Sequence, residues 1–172
     1  MKVIENYDLI NEAGELKRLP AGPQICKIIE VVDKPDQEYL DVYFDISEGE
    51  FKGYFTALFE NTSKNYGRIT RSYKPNALPF FKQFITAVEK SNPGYKWIWD
   101  EKSLTNKTCV VNFREEEYLV DGSVKTMAKA YEIRSLEALK NGLIKTLPMK
   151  KLEVQPEQIS PTVDLSGDDL PF

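Results

Sequence analysis

Between residues 38 and 46 apolar and polar side chains alternate one by one, with Leu40, Val42, Phe44 and Ile46 on one side and Tyr39, Asp41, Tyr43 and Asp45 on the other. A period of two marks a β-strand with one face in a core and the other in water. Ser47-Glu48-Gly49-Glu50 then supplies a short hairpin loop with a glycine for a positive φ. Phe51, Phe55, Ala57 and Phe59 continue the inward set while Lys52, Tyr54 and Thr56 face out. The pattern predicts two antiparallel strands whose shared outer surface carries Tyr43, Lys52 and Tyr54.

The rest of the chain extends this hairpin into a small barrel. Residues 1–22 have little periodicity and read as an arm or a short edge strand. The β-branched run from Pro23 to Val32 predicts a buried first strand, which Asp33-Lys34-Pro35-Asp36 stops. Residues 61–76 lack a period and read as a loop. Leu78, Phe81, Phe84, Ile85 and Val88 recur at helical spacing and predict an amphipathic helix over 77–91, ended by Asn92-Pro93-Gly94. The aromatic run 95–100, with Trp97 and Trp99, is either an edge strand or a loop capping the barrel. A long strand over 108–119, an Asp121-Gly122 turn and a partner over 124–134 form a ribbon. Ser135 is a ready N-cap for a short helix that Gly142 closes. Five strands with a helix between the third and fourth is the order of an OB-fold, a partly open Greek-key barrel. The predicted class is therefore mostly β with minor α.

Charge divides this chain in two. Of its 27 acids, five lie from Glu153 onward, where there is no base, leaving 22 acids against 23 bases upstream. Residues 1–152 thus form a near-neutral domain, and 153–172, rich in Pro, Ser and acids, read as a disordered acidic tail. The most basic stretch is 61–76, where Lys64, Arg68, Arg71 and Lys74 interleave with Tyr66 and Tyr73 and no acid intervenes. Histidine is absent and there are two cysteines, Cys26 and Cys109, each in an apolar run. That composition argues against a zinc site, a disulfide framework or a Ser/His or Cys/His catalytic pair. It predicts reduced core thiols in a cytoplasmic protein with no cofactor. No run approaches the ~20 apolar residues that span a bilayer, so no membrane partner is expected.

The tail ends Asp168-Asp169-Leu170-Pro171-Phe172, two acids and an apolar-Pro-aromatic tip beside the free carboxylate. An OB-type body followed by such a tip resembles the single-stranded DNA-binding proteins of bacteria and their phages, in the divergent versions encoded by phages of Gram-positive hosts. The resemblance implies sequence-tolerant coating of single-stranded DNA during replication and recombination, in the host cytoplasm if the chain is phage-encoded. It implies partner recruitment by Asp168, Asp169, Leu170, Pro171 and Phe172.

The residues themselves agree with that implication. Binding of single strands without sequence preference needs cations that follow phosphates and aromatic faces on which any base stacks. Tyr66, Arg68, Arg71, Tyr73 and Lys74 supply both within one short stretch, with Lys64 beside them. Tyr43, Lys52 and Tyr54 extend the set over the outer face of strands two and three, where OB-folds bind oligonucleotides. Trp97, Lys125 and Lys129 complete the candidate DNA-binding set. Two other readings stand beside this one: a protein-interaction adaptor with an OB-like body and no nucleic-acid binding, and a metal-dependent nuclease built on Asp41, Asp45 and Glu48. A barrel with edge strands leaves homo-oligomerisation open.

Overall fold

A computed structural model describes residues 1–5, 7 and 17–153. The predicted tail from residue 154 on, with its tip Asp168 to Phe172, lies outside the described residues. The elements run β1 (Gly22–Lys34), β2 (Tyr39–Ile46), α1 (Tyr54–Thr62), β3 (Arg68–Ser72), α2 (Leu78–Ser91), β4 (Thr108–Val120), β5 (Ser123–Arg134) and α3 (Leu136–Lys140). The sheet order is β3-β2-β1-β4-β5 and every neighbouring pair is antiparallel. Its edges curl toward each other, because the Arg71 guanidinium on β3 donates to the Tyr131 carbonyl on β5 at 3.4 Å. The result is a five-stranded, nearly closed OB-like barrel with α2 between the third and fourth strands.

The inward set of β2 behaves as its alternation predicts: Leu40, Val42, Phe44 and Ile46 are all buried. They meet Ile28 of β1, Cys109, Val111 and Phe113 of β4, and Phe81, Phe84, Ile85 and Val88 of α2 in one core. Leu19, just ahead of β1, is also buried there. Cys26 and Cys109 are free and stand opposite one another across β1 and β4, and burial pushes both thiols up from their ordinary ionisation. The helix α2 stops where Asn92 turns its side chain to β4, donating to the Val88 and Thr108 carbonyls and accepting from the Thr108 N–H. The Asp121-Gly122 turn has positive φ at both residues, 49° and 79°, the type I′ geometry that matches strand twist. Ser135 caps α3 by accepting from the Ala138 N–H, and Gly142 follows with φ 68°.

The third strand is not where the alternation puts it. Residues 51–59 do not continue the hairpin; Phe51 and Lys52 lie in a turn and Tyr54–Thr62 is helical. Phe51, Phe55 and Phe59 are spaced for a helix as well as for a strand, and a contact distant in sequence decides between them. The Asp45 carboxylate accepts from the Phe55 and Thr56 N–H groups at 2.9 and 3.1 Å, and from the Thr56 hydroxyl. It thereby caps α1 across nine residues, satisfying first-turn donors that Gly53, with no side chain, leaves open. Strand β3 instead lies inside the basic run read as a loop. Its one buried apolar residue, Ile69, faces Val42, too weak a pattern for periodicity to register.

After α3 the chain returns along the barrel. Lys150 pairs with β4 beyond the end of β1, its N–H donating to the Glu115 carbonyl at 2.8 Å and its carbonyl accepting from the Glu117 N–H at 2.9 Å. The described chain therefore ends beside the β4–β5 ribbon.

Candidate nucleic-acid interface

Three rows of side chains cross the outer surface of β1, β2 and β3. The strand registers put Glu30, Tyr43 and Arg68 in one row, Val32, Asp41 and Thr70 in the next, and Lys34, Tyr39 and Ser72 in the third. Tyr39 and Tyr43 are half-buried, so each keeps part of its ring open while its base is held. Lys34 and Arg68 are exposed, as are Lys27 earlier on β1 and Lys74 just past β3. Among the described residues no ion pair engages Lys27, Lys34 or Lys74.

The centre of this face is not the open acidic surface that alternation predicts. Asp41 is only 4% exposed and Asp45 only 9%. Asp41 accepts from the Thr70 hydroxyl at 2.9 Å and lies 4.0 Å from the Arg68 guanidinium. Its charge is thus countered in place, and Arg68 keeps a side chain 52% exposed above it. Asp45 is committed to the α1 cap. Among the described residues no group of three or more His, Cys, Asp or Glu side chains is arranged to hold a metal ion.

The predicted binding residues separate into several places. Tyr43, Arg68 and Lys74 belong to the β2–β3 face. Arg71 faces the other way, opposite Leu40, and ties the β3–β5 seam; burial lowers its ionisation from the ordinary guanidinium value and Glu132 opposes that shift. Lys52 and Tyr54 leave the face because their segment is a turn and a helix. The Tyr54 ring meets Phe55 edge-on at 5.1 Å and Phe51 at 6.1 Å. Tyr54 and Tyr66 line a groove with Leu58 and Ala128, between α1 and the ribbon. Lys64 is exposed near the end of α1. Lys125 and Lys129 stand opposite Tyr118 and Arg114 on the ribbon, where Arg114 pairs with Glu116 at 2.9 Å and lies 4.3 Å over the Tyr131 ring. Tyr73 and Trp97 meet in a separate aromatic notch. Tyr54, Arg68 and Tyr73 therefore do not share one groove.

Sequence reasoning passed over Tyr39, Lys27 and Lys34 as site residues. Tyr39 sits on the wet side of the alternation beside Tyr43, which was signal enough. Lys27 was hidden in a strand read as buried, and Lys34 in a tetrapeptide read as a stop.

Tyr73 shows how one predicted stacking residue is engaged instead. Its hydroxyl donates to Asp33 at 2.8 Å, and partial burial together with that carboxylate pushes its ionisation from 10.0 up to about 12. The neutral phenol is the form the fold favours, so its contribution is complete below pH 10.0 and lost as pH rises through about 12. Tyr73→Phe is accordingly expected to be less stable than the parent near pH 9 (roughly one hydrogen bond's worth), with the gap closing toward about pH 12. Thermal unfolding of both proteins across that range is the measurement, and a gap that does not narrow contradicts it.

A scan against protein-family models finds no match to this chain, and no curated protein matches it. No described helix is long and apolar enough to cross a membrane.

Proposed function

We propose that this protein binds single-stranded DNA without enzymatic activity and with little sequence preference, in replication or recombination. In this reading its DDLPF tip, Asp168 to Phe172, recruits partner proteins. The observation that carries the proposal is the outer β1–β2–β3 face of an OB-like barrel, where Tyr39, Tyr43 and Arg68 lie among Lys27, Lys34 and Lys74. Tyrosine rings offer sequence-tolerant stacking surfaces of about 1–3 kcal/mol per base, and the cations follow the backbone. The resemblance to phage-type single-stranded DNA-binding proteins supports the same reading and implies a cytoplasmic activity, in the host cytoplasm if the chain is phage-encoded.

Anisotropy of a labelled, unstructured deoxyoligonucleotide tests it. With four cations on phosphate, log K is expected to fall against log salt with a slope of about −3, at ~0.7 per single-strand contact. Absence of binding at low salt, or affinity indifferent to salt, favours an adaptor that binds only protein. Cleavage of the oligonucleotide with magnesium points to the nuclease reading.

Deleting Asp168 to Phe172 is expected to leave DNA affinity unchanged or raise it slightly, since the deletion removes two acids and an apolar tip. The same deletion is expected to abolish capture of replication and recombination proteins. Pull-down with and without the tip, alongside anisotropy, checks both, and a large loss of DNA affinity reverses the assignment.

A further inference from the structure

At the end of the barrel next to α2, the Trp97 and Trp99 rings stand 5.9 Å apart at 55°. Phe81 meets Trp97 edge-on at 6.4 Å and Tyr73 meets Phe81 at 6.0 Å. With Leu40 and Leu78 these rings line a pocket of about 290 Å³ whose only charged lining groups, among the described residues, are the carboxylates of Asp33 and Glu101. A pocket of that size lies at the lower edge of the range of small-molecule sites and is large enough for one long side chain.

Its surroundings are those of an interface. Leu78 and Trp99, which line it, are 48% and 82% exposed, and large apolar side chains left open beside a pocket are a mark of interaction sites. Trp99 also holds φ at +61°, a left-handed conformation that is strained for a residue with a Cβ and gathers at functional sites.

The charge selects the occupant. Two carboxylates, with no Lys or Arg in the lining, repel a strand that brings a phosphate with every base, whereas aromatic faces and carboxylates both attract a cation. We propose that this notch is a protein-docking site that receives an arginine or lysine side chain of a partner protein. The alkyl stem lies on Leu40, Leu78 and Phe81, and the cation lies between the tryptophan rings and the Asp33 and Glu101 carboxylates. This site is separate from the β1–β2–β3 face and does not depend on strand binding there.

The chain has two tryptophans and both line the notch, so intrinsic tryptophan emission reports on it alone. The probe is a capped pentapeptide with a central arginine between leucines, compared with the same peptide carrying citrulline. The arginine peptide is expected to change the emission saturably and the citrulline peptide to bind at least about tenfold more weakly. Glu101→Gln and Trp99→Ala are each expected to weaken the arginine peptide by about tenfold. Trp99 is exposed and Glu101 half-buried, so thermal unfolding and oligonucleotide anisotropy are expected to stay unchanged. Equal binding of the two peptides, or none of either, overturns the proposal. So does tryptophan quenching by a deoxyoligonucleotide in place of the peptide, which makes the notch a base pocket. Emission that shifts with protein concentration alone overturns it too, assigning the notch to a second copy of the chain. Oligonucleotide binding to the outer face is read separately by anisotropy, so failure of either idea leaves the other standing.

Discussion

Replacing Tyr43 with Ala and Arg68 with Gln together is expected to weaken binding of an unstructured deoxyoligonucleotide by about 100-fold at low salt. Loss of one stacking ring costs about 1–3 kcal/mol, and loss of one phosphate contact adds about another 1; a total near 3 kcal/mol is two decades in affinity. The two side chains occupy one row across β2 and β3, so their effects belong to a single surface. The fold is expected to survive, since Tyr43 is half-buried and Arg68 exposed, and Asp41 retains its bond from Thr70. The salt slope is expected to shrink by about 0.7, the share of one contact. Lys82→Gln, an exposed position on α2, controls for net charge and is expected to leave affinity within about twofold. If the double variant binds like the parent, the outer β1–β2–β3 face is not the interface and the groove between α1 and the ribbon becomes the leading surface.

Gly67→Ala is expected to be the most damaging small substitution in the barrel, destabilising it by about 3 kcal/mol. The cause is not backbone freedom, since Gly67 has no positive φ, but close approach. A Cβ there would stand 2.4 Å from the Phe44 carbonyl oxygen and 2.9 Å from Cβ and Cγ of Phe55. The carbonyl belongs to β2, which lies between β1 and β3, and the ring is wedged against Phe44 and Phe113, so neither yields without opening the core. The Phe44 N–H also donates to the Gly67 carbonyl at 2.9 Å, and moving the glycine strains that bond. Chemical denaturation with parent and variant side by side measures the loss. A midpoint within error of the parent shows that the α1–β3 connection adjusts freely.

These two sites differ in how far the residues announce them. Whereas the alternation over 51–59 gives way to a helix, Tyr43 is marked as outward by the alternation of β2 alone, a local pattern that the pairing of β2 with β1 and β3 preserves. The same holds for the Asp121-Gly122 turn, the α2 stripe from Phe81 to Val88 and the Ser135 cap, each written within a few neighbours. Gly67 is silent in the sequence because its role depends on Phe44 and Phe55 coming to rest on it. Sequence reasoning also reaches five strands with one of them misplaced. Residues 51–59 take up helix under the Asp45 cap, while 68–72 pair with β2, so the number holds and the third strand changes place.

The tyrosines and cations of the basic run were legible as residue types, but not as a surface. In sequence Arg68, Arg71 and Tyr73 look like one cluster. Strand pleating turns Arg68 outward and Arg71 to the seam, and the Asp33 carboxylate takes the Tyr73 hydroxyl toward the aromatic notch. Tyr39, Lys27 and Lys34, scattered over the preceding elements, join Arg68 instead, because β1, β2 and β3 lie side by side in the sheet.

Local periodicity and turn chemistry thus specify the inward apolar sets of β2 and α2, where several elements begin and end, and that the chain builds a small β barrel. Which charges remain free, which carboxylates become caps or counter-ions, and which aromatic rings share a surface depend on pairings between residues far apart in the chain. Those pairings are made by hydrogen bonds and burial that no local window contains.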